Sequence, residues 1–311
     1  MVAVYPEFLN VTSLVTIGSA PPVTVQNLTG EGLRVTWEIN KSNSSEPDNG
    51  SVTIYNLQTA SRKILAAIVP TLPAFGFRAS VSIGWGDTLN PGLGFVPPTQ
   101  VMSGRIWSIT PELKERTDVL TVVEFGDGLV EQRDAAPSGT SLGFAQLLTW
   151  SALVGFVVTE LGLTLSPAAA PVIDAAAAAR GLPSFGGANA IIGDREVREK
   201  LDNIFDTLRI GYTVDNGVVR VFDPSGLRND LPPQVLTPLS GLLSFAQTDD
   251  GGVEFEALAN PLLAPGAQVM IVGDDGIAQG GGPLRLESIQ FRGDNYAQSL
   301  MTGVARKFAP L

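Results

Sequence analysis

The sequence predicts a mainly β protein with a helical middle segment. Three observations carry that expectation. Gly 34 and Pro 22 are both abundant in 311 residues, which implies many turns and therefore many strands. The first and last thirds contain runs that alternate apolar and polar residues with period two. The middle third instead carries long apolar and alanine-rich runs bounded by helix caps and stops.

The opening third supplies the clearest strand. In Leu33-Arg-Val-Thr-Trp-Glu-Ile39, the residues Leu33, Val35, Trp37 and Ile39 belong to one face and Arg34, Thr36 and Glu38 to the other. A polar loop over 40–50 then returns the chain into Val52-Thr-Ile-Tyr55, so the two strands form a hairpin. A short helix follows over 59–65, then strands at 79–85, 101–109 and 119–125. Strands at this spacing make a small β-barrel or sandwich that ends near residue 130. The first domain is thus 1–135.

The middle segment, 136–211, is helical. Ser138, Thr140 and Ser141 offer N-caps to a run from Leu142 to about Leu161, which is apolar on every face and hence buried on most sides. A second helix spans Pro171 to Arg180 and stops at Gly181 and Pro183. A third starts at Asp194, carries an apolar stripe through Val197, Leu201, Ile204, Phe205 and Leu208, and ends at Gly211.

From 212 to 311 the chain is β again. Tyr212 to Phe222 is a hairpin, because Asn216-Gly217 provides the two positive φ angles of a type I′ turn. Further strands fall at 253–257, 267–273 and 284–291. These echo the first domain in order: Val52–Leu57 with Val253–Leu258, Ala79–Ile83 with Ala267–Ile271, and Arg105–Ile109 with Arg285–Ile289. Strand-forming residues also produce such short echoes by chance, so duplication and coincidence both stay open.

Composition removes most chemistry. The formal charge of −11 argues against a general nucleic-acid binder, which needs basic patches; an acidic wall would let DNA pass without sticking. With no Cys and no His, the chain lacks a thiol nucleophile, disulfides, and the commonest general base and zinc ligand. The N-terminus has no basic start and apolar core of a signal peptide, which implies folding in a cytoplasm. Asp249-Asp250 and Asp274-Asp275 sit beside glycines between strands and read as turn residues, without the spacing of a calcium loop. Gly280-Gly-Gly282 leads into Pro283 and a strand, not into the helix a phosphate cradle requires. No charge occurs between Asp134 and Glu160, yet Gln146, Thr149 and Ser151 interrupt that run and no basic cluster flanks it. A buried or subunit-interface helix is the better reading than a membrane span. No catalytic residue, cofactor or metal site emerges.

The order of motifs carries a resemblance. Leu33 to Lys41, Glu46-Pro47-Asp48-Asn49 and Val52 to Leu57 resemble the N-terminal domain of phage baseplate or tail hub proteins. The similarity continues through Ser103-Gly-Arg-Ile106 and Glu124-Phe-Gly-Asp-Gly128. It resumes at the 212–222 hairpin, Gly252 to Pro261, and Ile289 to Asn295. The resemblance implies two tail-tube-like β-barrel domains separated by helices. It further implies a structural, non-enzymatic virion protein whose homotrimer forms a pseudo-sixfold ring between a hexameric tail tube and a trimeric spike. Tail tube protein, spike or spike adaptor and tape-measure protein would be its partners, and DNA would cross its channel without specific binding. On that basis Ser44, Glu46, Asp48, Asn49, Trp150, Phe156, Asp294 and Asn295 are the expected interface residues. The competing readings are a peptidoglycan-degrading tail component, for which the chain leaves no room after its last motif, and a membrane-anchored assembly factor resting on the 142–161 run.

Overall fold

The computed structural model describes residues 11–18, 22–27, 32–43, 48–71, 77–85, 96–115, 118–127, 149–182, 197–223, 226–228 and 230–308. The first β region contains β1 (Val11–Ile17), β2 (Val23–Asn27), β3 (Val35–Ser42), β4 (Asn49–Tyr55), helix α1 (Thr59–Ile68), β5 (Arg78–Trp85), β6 (Val96–Glu115) and β7 (Asp118–Gly126). The middle holds α2 (Trp150–Glu160), the short β8 (Thr164–Leu165), α3 (Ala169–Ala179) and α4 (Val197–Leu208). Then follow the hairpin β9 (Tyr212–Asp215) and β10 (Val218–Val221), and β11 (Gln234–Leu236), β12 (Leu242–Gln247), β13 (Val253–Leu258), β14 (Gln268–Ile271), β15 (Leu284–Asp294) and β16 (Ser299–Arg306).

The β regions do not close into two separate barrels among the described residues. Their strands form one sheet in the order β12-β13-β16-β15-β3-β4-β7-β6-β5-β1-β2, with β14 on β15 and β11 on β14. The reason is the outer edge of β3, which pairs antiparallel with β15 from Ser42 opposite Ser288 to Thr36 opposite Asp294. One hydrophobic core therefore runs through both regions, from Val15, Trp37 and Phe125 to Phe255 and Phe291.

Within that sheet the chain repeats itself. The order β12-β13-β16-β15-β14 reproduces β3-β4-β7-β6-β5, every neighbouring pair being antiparallel in both. The ladders also share an irregularity: the register slips by one residue at Trp107, between Ile106 and Ser108, and at Glu287, between Leu286 and Ser288. A bulge is a specific backbone feature, so its recurrence inside the echo Arg105–Ile109 with Arg285–Ile289 argues for duplication over coincidence. Aligning on that bulge makes Gly50 the equivalent of Val253 and Ala79 the equivalent of Val269, two residues away from the pairings read in the sequence. Two residues is one strand period, so those sequence echoes kept the correct face while missing the register.

The middle segment packs as its own unit. A second core joins Val154, Val157, Ile173, Leu201 and Phe205 to Tyr212, Val214, Val219 and Val221. The 212–222 hairpin, read from sequence as the start of the last β domain, pairs through β10 with β8 and packs on these helices. Its turn is the expected one, with φ of 57° at Asn216 and 78° at Gly217. Helix α2 begins at Trp150 with Thr149 as N-cap, and Asp174 of α3 accepts from Ser151 N and Oγ at 3.0 and 2.7 Å. The expected helical stretch 142–148 lies outside the described residues. No helix among the described residues is long and apolar enough to cross a membrane.

Candidate assembly surfaces

Alternation along the strands sends one set of side chains into the core and the other onto an open, polar face. Val35, Trp37 and Ile39 are buried while Thr36, Glu38 and Asn40 face outward, as the sequence pattern requires. The outward residues line up across strands. One row runs Ser244, Glu256, Thr302, Gln290, Asn40, Asn49, and the next runs Leu300, Arg292, Glu38, Ser51, Glu124. Hydrogen bonds tie the rows: Gln290 Nε2 donates to Asn40 Oδ1 at 2.6 Å and to Glu38 Oε1 at 2.9 Å, and Asn40 Nδ2 donates to Asn49 Oδ1 at 3.0 Å. This face is concave where β12, β13, β16, β15, β3 and β4 meet, enclosing a groove of about 740 Å³. Glu254 and Glu256 line the groove, and Glu38 and Glu124 lie on the same face of the sheet beside it, with Arg292 3.7 Å from Glu38. Among the described residues this face is polar and rich in carboxylates, with no converging set of reactive groups.

Two buried polar clusters hold the middle segment against the sheet. Asp127, at the end of β7, accepts from the backbone N–H groups of Asn216 and Gly217, the latter at 2.9 Å, while Asn216 Oδ1 accepts from Ser103 N at 2.6 Å. Beside them Lys41 Nζ donates to Asp215 Oδ1 at 2.7 Å and to Val101 O at 3.1 Å. Arg228 and Arg220 reach Asp215 Oδ2 at 3.3 and 3.2 Å. Burial pushes the Asp215 carboxyl up, but Lys41, Arg228 and Arg220 together outweigh it and hold it at about 2. Asp48 lies nearby with the opposite outcome: burial, only partly countered by the charge of Lys41, raises it to about 7. Lys41 and Asp48 border the groove and Arg220 is partly exposed, and the bond from Lys41 to Asp215 gives the cluster the geometry of a clamp between units.

The residues expected at interfaces separate into several environments. Ser44 and Glu46 lie outside the described residues. Asp48 is buried, its Oδ1 accepting from Ser42 N at 2.9 Å, whereas Asn49 is exposed on the polar face. Trp150 and Phe156 are half-buried against the second core. Asp294 and Asn295 sit where β15 meets β3: Asp294 pairs with Arg34, and Asn295 bonds Val35 N at 2.8 Å and Leu33 O at 2.7 Å. The acidic pairs act as turn residues, with Asp275 Oδ1 accepting from Ile277 N and Asp250 Oδ1 from Gly252 N. Among the described residues no group of three or more His, Cys, Asp or Glu could hold a metal ion.

Sequence reasoning missed β12, which ends the strand path at one side as β2 does at the other. Phe245 of β12 is 39% exposed, although it faces Phe255 on the core side of the sheet. The signal was weak because a bulge between Leu242 and Ser244 breaks the alternation.

The described strands thus make one largely antiparallel sheet with a polar concave face, an internal repeat and a clamped helical unit, a fold that other chains share. Comparison with solved structures agrees. The chain is similar to the tail protein from Neisseria meningitidis MC58, with a TM-score of 0.58 and 10% identity over 95% of this chain and 96% of that one. It is similar to the prophage MuSo2 43 kDa tail protein from Shewanella oneidensis, with a TM-score of 0.57 and 11% identity over 95% and 98% of the two chains. The chain therefore has the fold of these tail proteins, in keeping with the motif resemblance. No family model matches the sequence, and no curated protein matches it.

Proposed function

We propose that this chain is a structural, non-enzymatic subunit of a phage-type tail baseplate hub, and that three copies close into a ring of six tube-like units. The observation that carries the reading is the internal repeat: one chain presents the same five-strand unit twice, joined edge to edge through β3 and β15. Three such chains offer six near-equivalent units to a hexameric tail tube and threefold symmetry to a trimeric spike or spike adaptor. The tail fold shared with the Neisseria and Shewanella proteins supports the same setting, in the virion tail after assembly in a host cytoplasm.

In the ring the concave polar face lines the channel. Its carboxylates repel phosphates, so DNA, and the tape-measure protein before it, passes without specific binding. The loop leading to Asn49, with Ser44 and Glu46, reaches toward an adjacent ring. Trp150 and Phe156 meet a neighbouring subunit. Light scattering on the purified chain, alone and with tube protein, tests the reading. The expected species has three times the 32.6 kDa chain mass and a sixfold-like average in negative stain. A monomer at every concentration, with or without the tube protein, rejects it.

A further inference from the structure

Among the described residues, the repeat has one edge joint made inside the chain and one unmade. We propose that β12 of one copy pairs antiparallel with the Thr110–Glu115 part of β6 in a second copy, as β3 pairs with β15 within the chain. The inference rests on the ring reading above and names the strands that close it.

Equivalence of the two joints follows from the ladders. The shared bulge makes β6 the counterpart of β15 and β12 the counterpart of β3. On β15, residues Ser288 to Asp294 carry β3. On β6, the corresponding residues beyond Arg105 pair with β7 on one side, and no described strand pairs with them on the other. On β3, Trp37 is 3% exposed because β15 covers it: a Cβ added to Gly293 would lie 2.2 Å from its indole ring. Phe245 occupies the matching place on β12, opposite Phe255 as Trp37 is opposite Val52, and is left open. An apolar edge of this kind is an unfinished sheet.

The register transfers with its hydrogen-bond phase intact. Asn43 N donates to Glu287 O at 2.8 Å, so by alternation Asn40 and Gln290 face each other as a non-hydrogen-bonded pair. Thr248 N donates to Gly252 O at 3.0 Å, which turns the N–H groups of Gln247 and Phe245 outward and gives Thr248 the phase of Asn40. Carried over, Thr248 faces Thr110 of the second copy and Ser244 faces Glu115. The slip between Thr110 and Leu113 absorbs the additional residue. Pro111 lies in that slip and withholds one donor from the ladder, a position where proline is tolerated. Pairing β12 with β12 of a twofold mate would bury the same edge but could not close a ring.

The chain has no cysteine, so an introduced pair reports cleanly. Non-hydrogen-bonded antiparallel partners bring Cα atoms to about 4.5 Å, within disulfide reach. In one chain Thr110 and Thr248 stand at opposite ends of the strand path from β12 to β6, so a bond between them joins copies. Mild oxidation of the Thr110→Cys/Thr248→Cys variant is expected to give disulfide-linked dimers and trimers at least about tenfold above Thr110→Cys/Ile277→Cys. Gln247→Pro, which removes an outward donor, is expected to keep the circular dichroism of the native chain and lose the trimer. Trimers by mass without the cross-link, or an undiminished trimer in Gln247→Pro, overturn this pairing and leave the ring reading standing. Dimers from Thr248→Cys alone assign the edge to a twofold contact and also overturn it. A chain that stays monomeric overturns both.

Discussion

Single residues show how little of this protein's polarity is spent on chemistry. Asp48 and Asp215 lie in one buried cluster with opposite ionisation. The Asp48 carboxyl stands at about 7 against an ordinary 3.8, so between those values the folded chain holds a proton that the unfolded chain releases. Its contribution therefore favours the folded state below pH 4 and weakens as pH rises toward 7. Asp215, held at about 2, contributes the reverse: stability present above pH 4 and lost as pH falls toward 2. Asp48→Asn keeps an acceptor for Ser42 N and removes the buried charge. Thermal melts should show Asp48→Asn matching the native chain below pH 4 and exceeding it by a margin that grows up to about pH 7, reaching on the order of 1–4 kcal/mol at pH 8. A constant difference across that range would contradict the assignment. The sequence marked Asp48 and Asn295 through motifs. Their internal hydrogen bonds were invisible there, because the partners Ser42, Val35 and Leu33 are met only after folding.

Among elements, those with strong local signals were readable in advance. The β3–β4 hairpin, α1 and the Asn216-Gly217 turn follow from alternation, spacing and positive φ. Strand β16 was not readable. Its core side is Ser299, Met301, Gly303 and Ala305, and Gly303 must be small because a Cβ there would come 2.5 Å from Phe255. Strand β6 extends beyond the expected 101–109 to Glu115, past a proline that its register slip accommodates. The β3–β4 connection divides physically. Ser42 and Asn43 are bonded to Asp48 and Glu287, so a deletion that spares these anchors is confined to 44–47. Deleting residues 44–47 is expected to change the melting temperature by only a few degrees while cutting tube-protein capture about tenfold in pull-down assays. Full capture by the shortened chain would remove the loop from the ring-to-ring contact.

At the scale of the whole molecule, the duplication sets the architecture and charge sets the character of the concave face. A ring of three copies would carry Glu38, Glu124, Glu254 and Glu256 three times around its channel. Replacing these four with Lys should leave the trimer's mass unchanged. It should also create duplex-DNA binding that weakens steeply with salt, read by fluorescence anisotropy. If the native ring itself retained DNA at low salt, the channel assignment would fall.

The sequence by itself determined the mainly β class, the helical interruption, the poverty of reactive groups and the faces of the strongest strands. Each of those is written in local periodicity and composition. Only the tertiary structure decided that the two β regions share one sheet, and that the 212–222 hairpin serves the helical unit. It alone gave the repeat's two-residue change of register and the open edge of β12. Those facts depend on which strand edges meet across more than two hundred residues, as β3 meets β15, and side-chain alternation is blind to the choice of partner.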